Sequence, residues 1–216
     1  MKVTQRYLLS PFTLPPLINR KLILIAILFL IFMIPLNSYA GWLIEPFIGK
    51  SLFSSFTYDL SKEDKAEYDY SVLPIGTRLG YKIPMFASGL TYYRMSTDLS
   101  GGSDRVPISI SGDHSGNFFG IFFSGHFPLD IVFRYTYFIS SRLTNQSGST
   151  AGNSLRGDGF AIGGGYSFFS YLTLNLEYIR HKYDVYKTKT PETRVVVPNA
   201  FKSSEWLLSL SFPYEF

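Results

Sequence analysis

An all-β fold, an eight-stranded antiparallel up-and-down transmembrane β-barrel, is what the sequence predicts, and three observations predict it. Apolar and polar residues alternate with period two in segment after segment. Every second connection between those segments is short. Only 17% of the 216 residues are charged, against 46% hydrophobic, well below the roughly 25% charge of an average soluble domain. Period two places successive side chains on opposite faces of a strand. Short turns at one rim and long connections at the other are the layout of a transmembrane barrel. Aromatic residues at 18% and 18 glycines favour strands over helices.

Residues 1–40 read as an export signal. Arg20-Lys21 precede the unbroken apolar run LILIAILFLIFMI at 22–34, and Ser38-Tyr39-Ala40 supplies the small-residue cleavage site. Thirteen residues of helix span about 20 Å, short of the ~30 Å hydrocarbon core, so a signal peptide cleaved after Ala40 is favoured over a permanent anchor. The pI near 9.1 does not point to nucleic acid. The four bases of this segment carry the whole excess, and the rest of the chain holds equal numbers of acids and bases.

The barrel proper is expected over 41–216, with strands near 42–53, 70–82, 85–96, 117–127, 129–140, 159–168, 172–178 and 205–216. The fifth is clearest: Leu129, Ile131, Phe133, Tyr135, Tyr137 and Ile139 oppose Asp130, Arg134, Thr136 and Ser140, with Val132 and Phe138 as exceptions. In the sixth, Phe160, Ile162, Tyr166 and Phe168 oppose Gly159, Ala161, Gly163, Gly165 and Ser167. In the third, Leu90 and Tyr92 leave the facing open. Tight turns are expected at 82–85, 126–130 and 169–171, and long polar loops at 54–69, 97–116, 141–158 and 184–204.

Which face points outward decides the solvent. Turned inward, the bulky set would overfill an eight-stranded interior; turned outward, it meets lipid while the small and polar set fits the narrow lumen. Aromatic residues then form two interfacial girdles, with Trp42, Tyr81, Phe127, Phe168, Tyr171 and Phe216 at the short-turn rim and Phe53, Tyr137, Phe160, Tyr178 and Trp206 at the other.

The signal segment, the eight strands and the ending Leu210, Phe212, Tyr214, Phe216 together resemble the small eight-stranded bacterial outer-membrane barrels, the group of outer membrane proteins A, X and W. The resemblance covers Gly41 to Phe216 and is architectural; it selects no subfamily. It implies an outer-membrane location, a lipid bilayer and lipopolysaccharide as surroundings, and a monomer. It also implies that the four terminal residues act as an assembly signal for the barrel-assembly machinery, with periplasmic chaperones on the way. Pro213 departs from a smooth last strand and reads as a bulge or an unpaired end.

Alternation places Glu45, Arg78, Arg134 and Glu177 on the inward face at similar depth. A first hairpin centred near Ser61 sets Glu45 across from Arg78. Two acids and two bases in a narrow lumen should neutralise one another, as a packed plug or as a gate. Catalysis is not expected. His114 falls in a loop, His126 sits at the periplasmic rim and is expected to pair with Asp130, and His181 has no serine two residues away. With no cysteine, metal-ligand cluster, P-loop or dinucleotide fingerprint, no cofactor is expected. In the fourth long loop Lys187, Lys189, Arg194 and Lys202, together with Lys182, form a basic set suited to an anionic surface, or a β-ribbon extension with ordinary surface lysines. Three roles stand in order: a structural or surface-interaction barrel acting through four long loops, a narrow conduit for small or hydrophobic molecules, and a lipid A-modifying enzyme.

Overall fold

The computed structural model describes residues 40–59, 65–101, 112–148, 150–189 and 192–216. The expected export signal and its cleavage site therefore lie outside the described residues, apart from Ala40. Among the described residues, ten strands form one antiparallel sheet: β1 (Gly41–Asp59), β2 (Lys65–Asp69), β3 (Ile75–Ile83), β4 (Phe86–Gly101), β5 (Gly112–Phe127), β6 (Ile131–Asn145), β7 (Ser154–Phe169), β8 (Leu172–Lys187), β9 (Arg194–Ser211) and β10 (Tyr214–Glu215). They make eight staves, because β2 and β3 are one stave broken at residues 70–74 and β10 continues β9 past Pro213. Each stave pairs with the next in sequence, and β9 and β10 pair back onto β1, which closes the barrel.

The short turns fall where the sequence places them, at Pro84-Met85, Pro128–Asp130 and Ser170-Tyr171. The strand after the second turn begins at Ile131 rather than Leu129. Leu129 and Asp130 hold the turn itself, both with positive φ (68° and 59°). Pro213 interrupts the last stave without changing its register: Phe47 faces Ser211 and Ile44 faces Tyr214, the same offset on both sides of the break.

The bulky alternating residues point outward. Phe133, Tyr135, Tyr137 and Ile139 are exposed on β6, as are Leu90 and Tyr92 on β4, while the exceptions Val132 and Phe138 are buried inside. The ten residues Ile131 to Ser140 rise about 33 Å along the strand and about 25 Å along the barrel axis at a ~40° tilt, the height of a membrane barrel's apolar band. No helix among the described residues is long and apolar enough to cross a membrane, which has no bearing on crossing by strands.

The expected long loops are largely strand. β6 runs on to Asn145, β7 starts at Ser154, β8 reaches Lys187 and β9 starts at Arg194, so the connections at 146–153 and 188–193 are short. Above the apolar band the outward face turns polar, with Arg94, Arg142, Asp158, Arg180 and Lys182 in place of aromatics. The inward face stays apolar, with Leu143, Leu155, Tyr183 and Phe201 buried. A sheet wall standing in water needs only its inner face apolar, and this one packs a core there.

Candidate functional site

The lumen is built in layers. At the short-turn end, Leu43, Ala87 and Phe122 pack together. Above them lies an ionic layer. Glu45 and Arg78 are direct Cα partners across β1 and β3, with Arg78 Nη1 donating to Glu45 Oε1 at 2.9 Å. Arg78 Nη2 donates to Glu177 at 2.8 Å, and Arg134 Nη2 donates to Glu45 at 2.9 and 3.0 Å. Arg134 Nη1 completes the square to Glu177 at 3.4 Å and also reaches Asn175 Oδ1 at 3.2 Å. All four side chains are 3 to 4% exposed. Each acid thus touches both bases, which balances the charge within one closed ring of ion pairs.

The glycines of β7 make room for that ring. Gly163 is the Cα partner of Arg134 on one side and of Glu177 on the other, so the two side chains meet over a position with no side chain. A Cβ there would come within 2.8 Å of Glu177 Cγ and 2.3 Å of the Leu176 carbonyl. The guanidinium of Arg78 also lies over the Phe47 ring, 4.3 Å from its centroid.

Next comes an aromatic layer. Tyr93 and Phe118 stack at 4.4 Å, and Phe118 and Phe138 flank the His181 ring at 4.5 and 4.9 Å. His181 has no serine two residues away, but it meets one from another strand: Ser141 Oγ lies 2.8 Å from Nδ1, and Tyr93 OH lies 2.9 Å from Nε2. Spacing of two along one strand could not reveal it, since Ser141 belongs to β6 and is brought across by the register shifts in β6 and β7. The group is sealed, with Ser141 at 0% and His181 at 1% exposure. Higher still, Phe56 packs on Tyr183 and Phe201 at 5.9 and 5.8 Å. Glu205, also buried, was not singled out from the sequence; its Oε2 has no hydrogen-bond partner among the described residues.

Other expectations need correction. His126 does not turn to Asp130; its Nε2 lies 3.2 Å from Ser124 Oγ. His114 is not in a loop but on β5, pointing inward, with Nδ1 2.7 Å from the Gly112 carbonyl. The basic set of the fourth expected loop stands on a β-ribbon extension, one of the two readings open from the sequence, spread along two strands and a tip. Lys187 and Arg194 are Cα partners on β8 and β9, Lys189 lies against Gly152, and Lys202 sits lower, opposite Lys182. Lys187 is paired with Glu192, which holds that exposed carboxyl below its usual range, with Arg156 adding a smaller pull. At the short-turn rim, Lys82 binds Glu215 at 2.5 Å. Phe212, Tyr214 and Phe216 lie on or beside the closing strand with Leu210, and Phe216 exchanges two backbone hydrogen bonds with Trp42, at 2.8 and 3.1 Å.

No protein-family model matches the sequence, and no curated protein matches it. Solved structures do. The outer membrane protein AlkL, determined by solid-state NMR in DMPC lipid bilayers, superposes with a TM-score of 0.50 at 10% identity, over 84% of this chain and 95% of that one. The outer membrane protein OprG from Pseudomonas aeruginosa gives 0.45 at 12% identity, over 83% and 99%. Neisserial surface protein A gives 0.43 at 12% identity, over 81% and 99%. At such identities the likeness is one of fold: this chain has the fold of the small outer-membrane β-barrels.

Proposed function

We propose that the chain is an integral barrel of the bacterial outer membrane with a structural or surface-interaction role, acting through the sheet wall that rises beyond its apolar band. The observation that supports this over a conduit is a lumen filled from the ionic ring upward. A solute on the axis would have to part four mutual ion pairs and then displace Phe118, Tyr183 and Phe201, all at 0% exposure. With the interior filled, the surfaces left for partners are the outer face and the tips. On this reading the four ionic residues are a plug, the terminal residues Leu210, Phe212, Tyr214 and Phe216 serve assembly, and the barrel works as a monomer.

Planar-bilayer recording of the purified barrel tests the choice. Closed traces are expected, and stable conductance would replace this reading with the conduit. Lipid modification is a weaker alternative: the Ser141–His181 pair has the atoms of a nucleophile and base, yet aromatic rings enclose it. Lipid A from cells overexpressing the chain should keep its acyl count by mass spectrometry; a changed count would make the chain an enzyme.

A further inference from the structure

The break at 70–74 between β2 and β3 opens a short edge inside an otherwise closed sheet. The register with β4 is the same on both sides of it: Tyr68 faces Gly101 above and Ile75 faces Arg94 below, so Ser71 and Leu73 belong opposite Asp98 and Ser96. Those rungs are not formed. An antiparallel ladder turns the N–H and C=O of successive residues to opposite neighbours. Val72 and Pro74 turn to β1, where their carbonyls accept from Ser51 and Gly49 at 3.1 and 3.0 Å, so Ser71 and Leu73 turn toward β4. Val72 N–H also donates to Ser51 Oγ at 3.0 Å, and Ser54 Oγ donates to the Tyr70 carbonyl, which holds the segment against β1. On the other side, Gln146 N–H donates to the Asp113 carbonyl at 2.8 Å, so Asp113 turns to β6 and His114 to β4. Thr97 is the partner of His114, which leaves Ser96 and Asp98 turned toward the gap.

The gap lies just above the apolar band, over the exposed Ile75 and Tyr92. A groove of about 460 Å³ adjoins it, with Ser71, Ser96, Thr97, Asp98 and Asp113 in its lining. Thr97 Oγ1 is buried and has no hydrogen-bond partner among the described residues. Toward the tips the surroundings are acidic. Glu67 and Asp69 on β2, Asp98 on β4 and Asp113 on β5 are exposed, and among the described residues none of the four makes an ion pair. Asp98 and Asp113 are direct Cα partners, and like charges placed opposite one another repel. The bases Lys50 on β1 and Arg94 on β4 stand toward the lower end of the gap.

We propose that this gap docks an extended basic segment of a partner protein, which adds as a strand to the free edge of β4. The inference rests on the reading of the wall as the surface for partners. Two features select the occupant. The donors and acceptors of Ser96 and Asp98 recur at strand spacing, and another extended backbone satisfies them in turn. Alternate side chains of that strand then point outward beside Asp98 and Asp113, which calls for Lys or Arg there. The remaining side chains point inward, toward the level of the buried Val72, which calls for apolar residues between the bases. A small polycation would meet the charge alone and leave the edge open.

The test uses folded barrel isolated from cells expressing the full chain and moved into DMPC bilayers, with a blocked peptide of alternating lysine and valine, KVKVKVK, as the probe. Without peptide, the amides of Ser96 and Asp98 should exchange with deuterated solvent faster than those of Met95 and Thr97, which turn to β5. With peptide, exchange at Ser96 and Asp98 should slow at least tenfold. The acidic peptide EVEVEVE should bind at least tenfold more weakly. So should KVKVKVK on the D98N/D113N variant, whose melting temperature should equal or exceed that of the unaltered chain because a like-charge contact is gone. Two probe versions, N-methylated at the lysines or at the valines, keep the charge and each block one edge of the peptide; at least one should bind at least tenfold more weakly. Slow exchange at Ser96 and Asp98 without peptide, undiminished binding of both N-methylated versions, or the same protection from spermidine alone would overturn strand addition. Stable conductance of the peptide-free barrel in planar bilayers would instead overturn the reading of the wall on which the site rests.

Discussion

Glu45 and Glu177 each touch both lumen arginines, so no member of the ring can be removed without stranding charge on two neighbours. Glu45→Ala and Arg78→Ala should each cost on the order of 3–5 kcal/mol, by analogy with other broken buried pairs and less any relief from entering water. The double variant leaves Arg134 and Glu177 as a neutral pair, so it should cost less than the sum of the singles. Urea titration in lipid vesicles of the two singles and the double measures the difference; strict additivity would mean that the two side chains do not interact. Gly163 tests the same layer from its floor. Gly163→Val places methyl groups where Arg134 and Glu177 meet and against the Leu176 carbonyl, so it should destabilise the barrel by several kcal/mol, an overpacking cost added to a broken ion pair. The same titration reads it.

The turn between β5 and β6 keeps Leu129 at φ 68°, in the left-handed region that costs a leucine about 1–2 kcal/mol relative to the right-handed one. Its side chain is 74% exposed and gives little packing in return. Leu129→Asn, which tolerates this conformation, is expected to raise stability by about 0.5–1 kcal/mol in the same assay. The closing strand behaves differently. Pro213 offers no N–H, so between Ser211 and Tyr214 the seam with β1 loses part of its ladder, and beyond it the seam depends on β10 and on Phe216 binding Trp42. Deleting Phe216 removes both backbone bonds and the terminal aromatic. Outer-membrane levels should fall and periplasmic degradation rise, whereas Phe216→Tyr keeps both features and should accumulate normally; immunoblots of fractionated cells measure the contrast.

The described residues form a closed sheet whose every stave is paired on both sides, with a lipid-facing band below and a water-facing wall above, both around one filled interior. Closure removes edges, so the barrel cannot unfold one strand at a time from an open side. Folded chain should therefore resist detergent at room temperature and migrate differently on gels before and after boiling. Identical migration, with helical circular dichroism, would contradict the fold. The packed upper core predicts in addition that protease added from outside leaves β6 to β9 uncut except at the tips near 146–153 and 188–193.

The sequence by itself determined the faces, the tight turns and one register. Period-two alternation assigns faces without knowledge of neighbours, because strand geometry alone sends adjacent side chains apart. A hairpin centred near residue 61 pairs Glu45 with Arg78, since antiparallel partners keep a constant sum of positions. The height of the wall was not legible. Outside the membrane the outer face needs no apolar residues, so segments such as 141–145 and 201–204, with Arg, Thr, Lys and Ser facing water, resemble loops by composition. Contacts across the lumen were beyond reach as well. Arg78 meets Glu177 across 99 residues and Ser141 meets His181 across 40. Such meetings depend on barrel closure and on the bulges that shift register between Phe138 and Ser141 and between Arg156 and Gly157, and a local pattern carries neither.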